Sequence, residues 1–456
     1  MPLTLTDLLR GSGGELASGH EGEVLFERAV IDSREVQAGD LFIALKGERV
    51  DGNDFVPHAL ANHAAGVISD RPTGAIPNRV AYIQVPDTLK ALQDVGRYKL
   101  RQVGPKVIGI TGTVGKTSTK EVIAGALAQK HALLKTERNL NTEIGVPLSL
   151  LRLESEHELA VLEMGMYVPG DIRFLAELTR PAIGVITGVS YTHAERVGTI
   201  ERIAEAKAEL VDGLSKDGVA VLNGDNSWTR AMAQRGKRAL LFGLEEANDV
   251  RAADVESHGL DGISFTVSYG GASERVESKL IGKHSVYHAL AAIAVMLTLG
   301  YPLAEAAAAL AASPIESLRL RVLPGKGGVT VIDDSYNSSP IAARAALQLL
   351  SELGRGKHVA VLGDMRELGQ YSAGLHREVG ASAVPLCQLL VTVGEEALQM
   401  AEGARAAGMP EDRLLATTEP QEAIDFLRPR LSVGDYLLIK GSRAMGLENI
   451  VKEFTA

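Results

Sequence analysis

Thr111-Gly112-Thr113-Val114-Gly115-Lys116-Thr117 is the segment whose residue types point most directly to chemistry. It follows the apolar run Val107-Ile108-Gly109-Ile110 and precedes a stretch with helical periodicity, Thr117 to Lys130. Backbone N–H groups and the helix dipole therefore converge on one spot, as they do where proteins hold phosphate. Gly112 and Gly115 let the main chain, with Thr113 and Val114, wrap an anion. Lys116 adds a point charge, the Thr117 hydroxyl suits Mg²⁺, and Ser118 carries the loop into the helix. A full GxxxxGK[ST] pattern would place glycine at position 110, where this chain has Ile110. The segment reads as a nucleotide-phosphate loop; the alternative is a glycine-rich strand-to-helix turn.

Lys207 is the second unusual residue. Ile200, Ile203, Lys207, Leu210 and Leu214 fall at helical spacing and share one face, so a lysine interrupts an aliphatic stripe. No carboxylate stands four residues before or after it to form a routine surface pair. Burial would disfavour the ammonium and free a neutral amine, which can form a carbamate with CO₂ and so become a metal ligand. The alternative is a lysine whose stem lies along an interface while its head reaches water.

Glu163 ends the apolar strand Leu159-Ala160-Val161-Leu162, at the carboxyl edge where α/β sheets bind ligands, and a carboxylate there suits Mg²⁺. His193 follows the strand Ile183 to Thr187 in the same way; a lone loop histidine is more often structural. His284, His288 and His376 are weaker candidates still.

These groups need a rigid α/β frame. Strand and helix signals alternate through Leu159–Leu162, Asp171–Leu178, Ile183–Thr187, Ile200–Leu214 and Val219–Leu222, which predicts a mostly parallel sheet covered by helices. A helical Ala-rich stretch, Ser285 to Ala312, closes this region, and Ser313-Pro314 reads as a linker. A second series follows in strands Val329–Ile332, His358–Leu362, Leu389–Val393 and Tyr436–Ile439, with a helix over Ile341–Leu353. The expectation is three α/β domains: 1–101, small and mixed; 102–313, a central P-loop domain with a parallel sheet; and 314–456, Rossmann-like. The 456 residues suit that number, since domains average about 150 residues.

Composition narrows the function classes. With 45% hydrophobic and 23% charged residues the chain can bury ordinary cores, which excludes a disordered or fibrous protein. A net charge of −10 argues against bulk attraction to nucleic acid, so an anionic ligand must be held by local groups. Cys387 is the only cysteine, which excludes an intramolecular disulfide and a multi-cysteine metal site. No basic-then-apolar signal follows Met1 and no apolar run is long enough to span a membrane, so a cytoplasmic location is expected.

The segment Thr111 to Thr117 resembles the TGTxGKT loop of the Mur ligase superfamily, the ATP-dependent amide-forming enzymes of peptidoglycan precursor synthesis. Further motifs match its dipeptide-adding branch in order along nearly the whole chain. In the first domain they are Asp32-Ser33-Arg34 and Gly39 to Gly47. In the centre they are Asn139 to Pro147 and Ala206-Lys207-Ala208-Glu209. In the last they are Asp333 to Asn337, Gly363 to Gly369 and Lys440 to Arg443.

The resemblance implies an ATP-dependent ligase that adds D-alanyl-D-alanine to a UDP-N-acetylmuramoyl-tripeptide, acting as a monomer. It implies that Lys116 and Thr117 hold ATP phosphates and Mg²⁺, that Glu163 and His193 are further metal ligands, and that Lys207 is carbamylated. Arg319, Asp334 and Asn337 would meet ribose, adenine or phosphates. Ser33, Arg34, Lys46, Gly47, Asn139 and Asn141 would face the uridine nucleotide; Asp364, Glu367, Lys440 and Arg443 would border the dipeptide or the closed cleft. This chain departs from the family in having Ser285, His288 and Ser339 where asparagine is usual, and in the loop Gly188–Thr192. The rival readings are a sibling amino-acid-adding ligase or a folylpolyglutamate synthase, and a catalytically silent nucleotide-binding scaffold. The DNPR motif of the diaminopimelate-adding sibling is absent.

Overall fold

The computed structural model describes residues 3–17, 22–72, 76–314 and 320–455. Among them the chain forms three larger sheets, each built from short apolar runs that are buried on both faces, the pattern of parallel strands covered by helices.

The first sheet has the order Glu15–Leu16, Ala81–Gln84, Gly66–Ser69, Leu41–Ile43, Ala29–Val30. Its last four strands are parallel. Helix Thr88–Val103 follows, started by the Asp87 carboxylate accepting the Lys90 N–H at 2.9 Å and stopped by Gly104 in the left-handed region. That helix runs through residue 101, so we place the change to the second unit at Gly104.

The central sheet runs Leu133–Lys135, Leu159–Glu163, Lys106–Thr111, Ile183–Ile186, Val219–Asn223, Arg238–Gly243, Val250–Ser257, Ile263–Tyr269, Ala272–Ser278. The first seven are parallel. From Lys106–Thr111 the chain first builds outward on one side and then returns to build on the other. The phosphate loop therefore lies at the point where strand order reverses, with the end of Leu159–Glu163 on one flank and that of Ile183–Ile186 on the other.

Sequence periodicity does not foresee the antiparallel ribbon Val250–Ser278, whose outer strands alternate buried and polar positions. Its signal is the pair Gly270-Gly271, both at positive φ, which suits a tight hairpin turn. The Ala-rich stretch also differs from expectation. It is two helices, Val286–Thr298 and Leu303–Ala311, because Pro302 lacks an N–H and serves as the cap of the second. Helix Ile200–Asp212 ends two residues before Leu214, which remains buried just beyond it.

The third sheet has the order Arg321–Pro324, Thr330–Asp334, Tyr436–Lys440, His358–Gly363, Leu389–Val393, Leu414–Thr417, parallel except for the first strand. The last strand in sequence, Tyr436–Lys440, inserts in the middle. Asp334, Gly363 and Lys440 thus end side by side. No described helix is long and apolar enough to cross a membrane.

Cys387 packs in the core of this third unit, and burial pushes its thiol up to about 12. We expect it to resist an aromatic disulfide reagent at pH 8 and to react stoichiometrically in guanidinium. Rapid labelling of the folded protein would contradict this placement.

Candidate active site

The phosphate loop is held open by backbone geometry that only glycine tolerates. Gly112 has φ +145° and Gly115 has φ +84°. A Cβ on Gly112 would lie 2.0 Å from Thr187 Oγ1. That hydroxyl donates to the Val114 carbonyl at 2.5 Å, the Thr113 N–H donates to the Gly188 carbonyl at 2.9 Å, and the Ser190 N–H donates to Thr113 Oγ1 at 3.0 Å. The loop is therefore fastened to the end of the neighbouring strand on one side. Lys116 opens helix Lys116–Leu127 and curls back, donating to the Gly112 carbonyl at 2.9 Å.

Glu163 closes the other side. Its buried carboxylate accepts from Thr117 Oγ1 at 2.9 Å through Oε2 and from Asn141 Nδ2 at 2.8 Å through Oε1. Two oxygens suited to Mg²⁺ thus already face each other beside the loop. Among the described residues no three His, Cys, Asp or Glu side chains converge as a preformed cage. That donor set fits a Mg²⁺ which takes most of its ligands from phosphate oxygens and water, the usual arrangement for this ion.

Lys207 is 1% exposed on helix Ile200–Asp212. Burial pushes its amine well below the ordinary range for lysine, and the nearby Lys116 charge adds to this. Among the described residues no carboxylate pairs with it. His193, with φ +76°, is half-buried, and its imidazole is lowered by desolvation and by the charges of Lys207 and Lys116, against the opposing pull of Glu367. Glu367 Oε2, from the third unit, lies 2.6 Å from His193 Nδ1, a charged pair when the imidazole is protonated. Its Oε1 lies 3.4 Å from Arg196, and its carbonyl accepts the Glu195 N–H at 3.3 Å. Glu367 is thus the residue through which the third unit touches this site.

The sequence ranks His288 low, yet it lies directly under the loop. A Cβ on Gly115 would meet its Cε1 at 2.7 Å, and its Nδ1 hydrogen-bonds Thr119 Oγ1 at 2.9 Å. The available signal was a single histidine within the otherwise apolar helix Val286–Thr298.

A second group lies on the third sheet. Lys440 Nζ donates to Asp334 Oδ2 at 2.6 Å and to the Asn337 carbonyl at 2.9 Å, and Arg443 stacks over Tyr336. Asp364 is buried, accepts the Ala397 N–H at 2.8 Å and is raised by burial, so it braces a loop rather than facing open space. Arg319 lies outside the described residues.

The first unit holds its own group. Ser33 Oγ bonds His58 Nδ1 at 3.0 Å; Arg34, 81% exposed, pairs with Asp32 at 2.6 Å. The backbones of Lys46 and Asp51 pair in an isolated antiparallel bridge, and the Gly47 N–H donates to the Val50 carbonyl at 2.9 Å. Asn139 lies in the loop it shares with Asn141, whose N–H donates to the Asn139 carbonyl at 2.8 Å.

With this geometry in place, three family models match in order: the Mur ligase family catalytic domain over 28–99, the Mur ligase middle domain over 110–296, and the Mur ligase glutamate ligase domain over 318–443. The chain belongs to the Mur ligase family. Among its relatives in that family, the UDP-N-acetylmuramoyl-tripeptide–D-alanyl-D-alanine ligase of Bacillus subtilis strain 168 is 37% identical, covering 96% of this chain and 95% of the relative. The enzyme of that name from Escherichia coli K12 is 33% identical over 98% and 96%. The structure of MurF from Acinetobacter baumannii superposes with a TM-score of 0.88 at 31% identity, covering 99% and 98%. MurF from Thermotoga maritima, solved in complex with ADP, gives 0.80 at 31% identity over 93% and 96%. A folylpolyglutamate synthase, 18% identical, shares the fold.

One pH effect follows for this Mur ligase. Burial lowers His288 to about 3, so the folded chain refuses a proton that the unfolded chain takes up near pH 6.5. Stability from this residue is present above pH 6.5 and is lost as pH falls toward 3, by about 1.4 kcal/mol per pH unit. We expect His288→Asn to flatten the denaturant midpoint between pH 6.5 and 4.5; an unchanged slope would contradict the burial.

Proposed function

We propose that the chain joins D-alanyl-D-alanine to a UDP-N-acetylmuramoyl-tripeptide using ATP, in cytoplasmic peptidoglycan precursor synthesis, and that it acts as a monomer. The observation that carries this is the match along essentially the full length to ligases of that name, on a chain whose phosphate loop is flanked by Glu163 and Lys207.

A carboxylate is a poor acyl donor because its oxygen leaves badly. The tripeptide carboxylate oxygen attacks the γ-phosphorus, the bond to the β-bridging oxygen breaks, and ADP and an acyl phosphate form. The dipeptide amine then attacks the acyl carbon, phosphate leaves, and the amine loses a proton. No side-chain nucleophile is needed, consistent with the inert Cys387. The chain supplies positioning and charge. The loop N–H groups and Lys116 cradle the phosphates, which is worth several kcal/mol when one such donor acts in a dry site, about 10²- to 10³-fold in rate. Orientation of two reactants adds roughly 7 to 11 kcal/mol when it is complete.

Thr117 and Glu163, with His193, would hold Mg²⁺, which when bound neutralises charge on the transferring phosphoryl group. Lys207 fits a carbamate for an electrostatic reason: Lys116, His193 and Lys207 are cation-capable groups sharing a buried region, and a carbamate replaces one of them with an anion. The amine is already biased toward the neutral form that attacks CO₂, releasing one proton. Ser33, Arg34, Lys46, Gly47, Asn139 and Asn141 are assigned to the uridine nucleotide. Asp334, Asn337 and Arg319 are assigned to the adenosine side, and Glu367, Lys440, Arg443 and Asp364 to dipeptide binding or closure.

Purified protein given Mg²⁺, ATP and both fragments should form ADP, phosphate and the longer muropeptide in equal amounts; formation of neither product would refute the assignment. Lys116→Ala should lower turnover by about 10²- to 10³-fold or more while the uridine nucleotide still binds, as measured by calorimetry. With ¹³C-bicarbonate, wild-type protein should show a carbamate resonance that Lys207→Ala lacks, and short carboxylic acids should partly restore that variant's activity. A wild-type spectrum without the resonance would remove the carbamate.

A further inference from the structure

The Glu163 carboxylate is held by Thr117 of the phosphate loop and by Asn141, and its backbone N–H is held from a third direction by Thr136. Thr117 reaches its carboxylate directly. Three residues along the same helix face, Lys120 reaches its backbone indirectly. Lys120 is fully buried, and its Nζ donates to the Thr136 carbonyl at 2.6 Å while pairing with Glu121 Oε1 at 2.8 Å. Glu121 is thus the carboxylate facing the buried ammonium, and it also pairs with Lys135 at 2.6 Å.

Thr136, itself buried just past strand Leu133–Lys135, donates its N–H to the Val161 carbonyl at 3.1 Å. Its hydroxyl accepts the Glu163 N–H at 3.0 Å. The circuit Thr117, Lys120, Thr136, Glu163 therefore closes on itself, joining one helix turn to two strand ends. An uncharged apolar residue could fill the position of Lys120 for packing alone. A buried lysine aimed at one carbonyl instead fixes the height of that strand end against the helix.

We propose that Lys120 and Thr136 are positioning residues for the Glu163 carboxylate, setting its distance from Thr117 and so the affinity of the site for a nucleotide-bound divalent cation. This rests on the reading of Thr117 and Glu163 as protein ligands of that cation. Partners that orient a metal ligand typically contribute about 10- to 100-fold to metal affinity.

The test is calorimetric titration of ADP into the full-length protein with and without Mg²⁺. Thr136→Val removes the hydroxyl while keeping the shape, Thr136→Ser keeps the hydroxyl, and Lys120→Gln removes the charge. The expected result is that all bind ADP equally well without metal, that wild type and Thr136→Ser gain affinity with Mg²⁺, and that Thr136→Val and Lys120→Gln need about 10- to 100-fold more Mg²⁺ for that gain. Retention of the wild-type Mg²⁺ midpoint by both altered proteins would overturn the proposal. So would loss of metal-free ADP binding, or failure to fold, in both, since that assigns them a structural role. A wild-type protein with no Mg²⁺-dependent gain removes the metal reading and this proposal together, and leaves the ligase assignment to the product assay.

Discussion

Burial makes it harder for Lys207 and His193 to hold a proton, the Lys116 charge adds to this for both, and Lys207 adds to it for His193. Glu163, whose oxygens are engaged by Thr117 and Asn141, and Glu367, beside His193, border this region. With Lys207 and His193 biased toward their neutral forms, the loop N–H groups and Lys116 are what the chain offers an anion, and a triphosphate is the anion that the loop shape fits. Building that region requires a rigid frame, because cationic groups placed together in a flexible chain would move apart. The reversal of strand order beside Lys106–Thr111 supplies the frame, since two strand ends converge there and the helix begins between them.

The three units then follow from the chemistry of joining two fragments. The central sheet carries the phosphate loop, while the flanking sheets present loops at their own carboxyl ends. Glu367 is the point at which the third unit meets the charged region, through His193 and Arg196. Tyr191 and Tyr371 stack at 4.6 Å between centroids across the same junction, and Gly369 packs on the backbone of Glu195. Half-buried His284 feels the charges of Asp334 and Lys440, and its ring lies 6.4 Å from that of His288 between centroids, so the Lys440, Asp334 and Asn337 group is connected to the residue under the loop.

Two acidic residues packed behind the site have a structural reason. Glu209 sits four residues from no basic partner on its own helix, yet it accepts the N–H groups of Gly170 and Arg173 at 3.0 Å, capping helix Asp171–Thr179. Asp225 accepts from Leu244, Glu245, Asn248 and Tyr287, which pins the start of the helix that carries His288. These contacts fix the position of helices whose other faces border the site, so the polar residues beneath it are part of how the site keeps its shape.

Local pattern alone determined a good deal. The sequence Thr111 to Thr117 between a buried run and a helix start specified a phosphate loop, because glycine, lysine and hydroxyl roles are set by neighbours a few residues away. The aliphatic stripe around Lys207 raised a buried amine against a lysine whose head reaches water, since helical spacing fixes which side chains share a face, and the fold decided for burial. Pro302 and the hairpin glycines Gly270 and Gly271 show the limit of such reading: both signals were present, but composition over a longer stretch outweighed them. Only tertiary structure decided that His288 lies under Gly115, that Glu367 reaches His193, that Lys440 pairs with Asp334, and that Lys120 and Thr136 brace Glu163. Those contacts join residues tens to hundreds of positions apart, and no local periodicity encodes a distance that strand order and domain packing create.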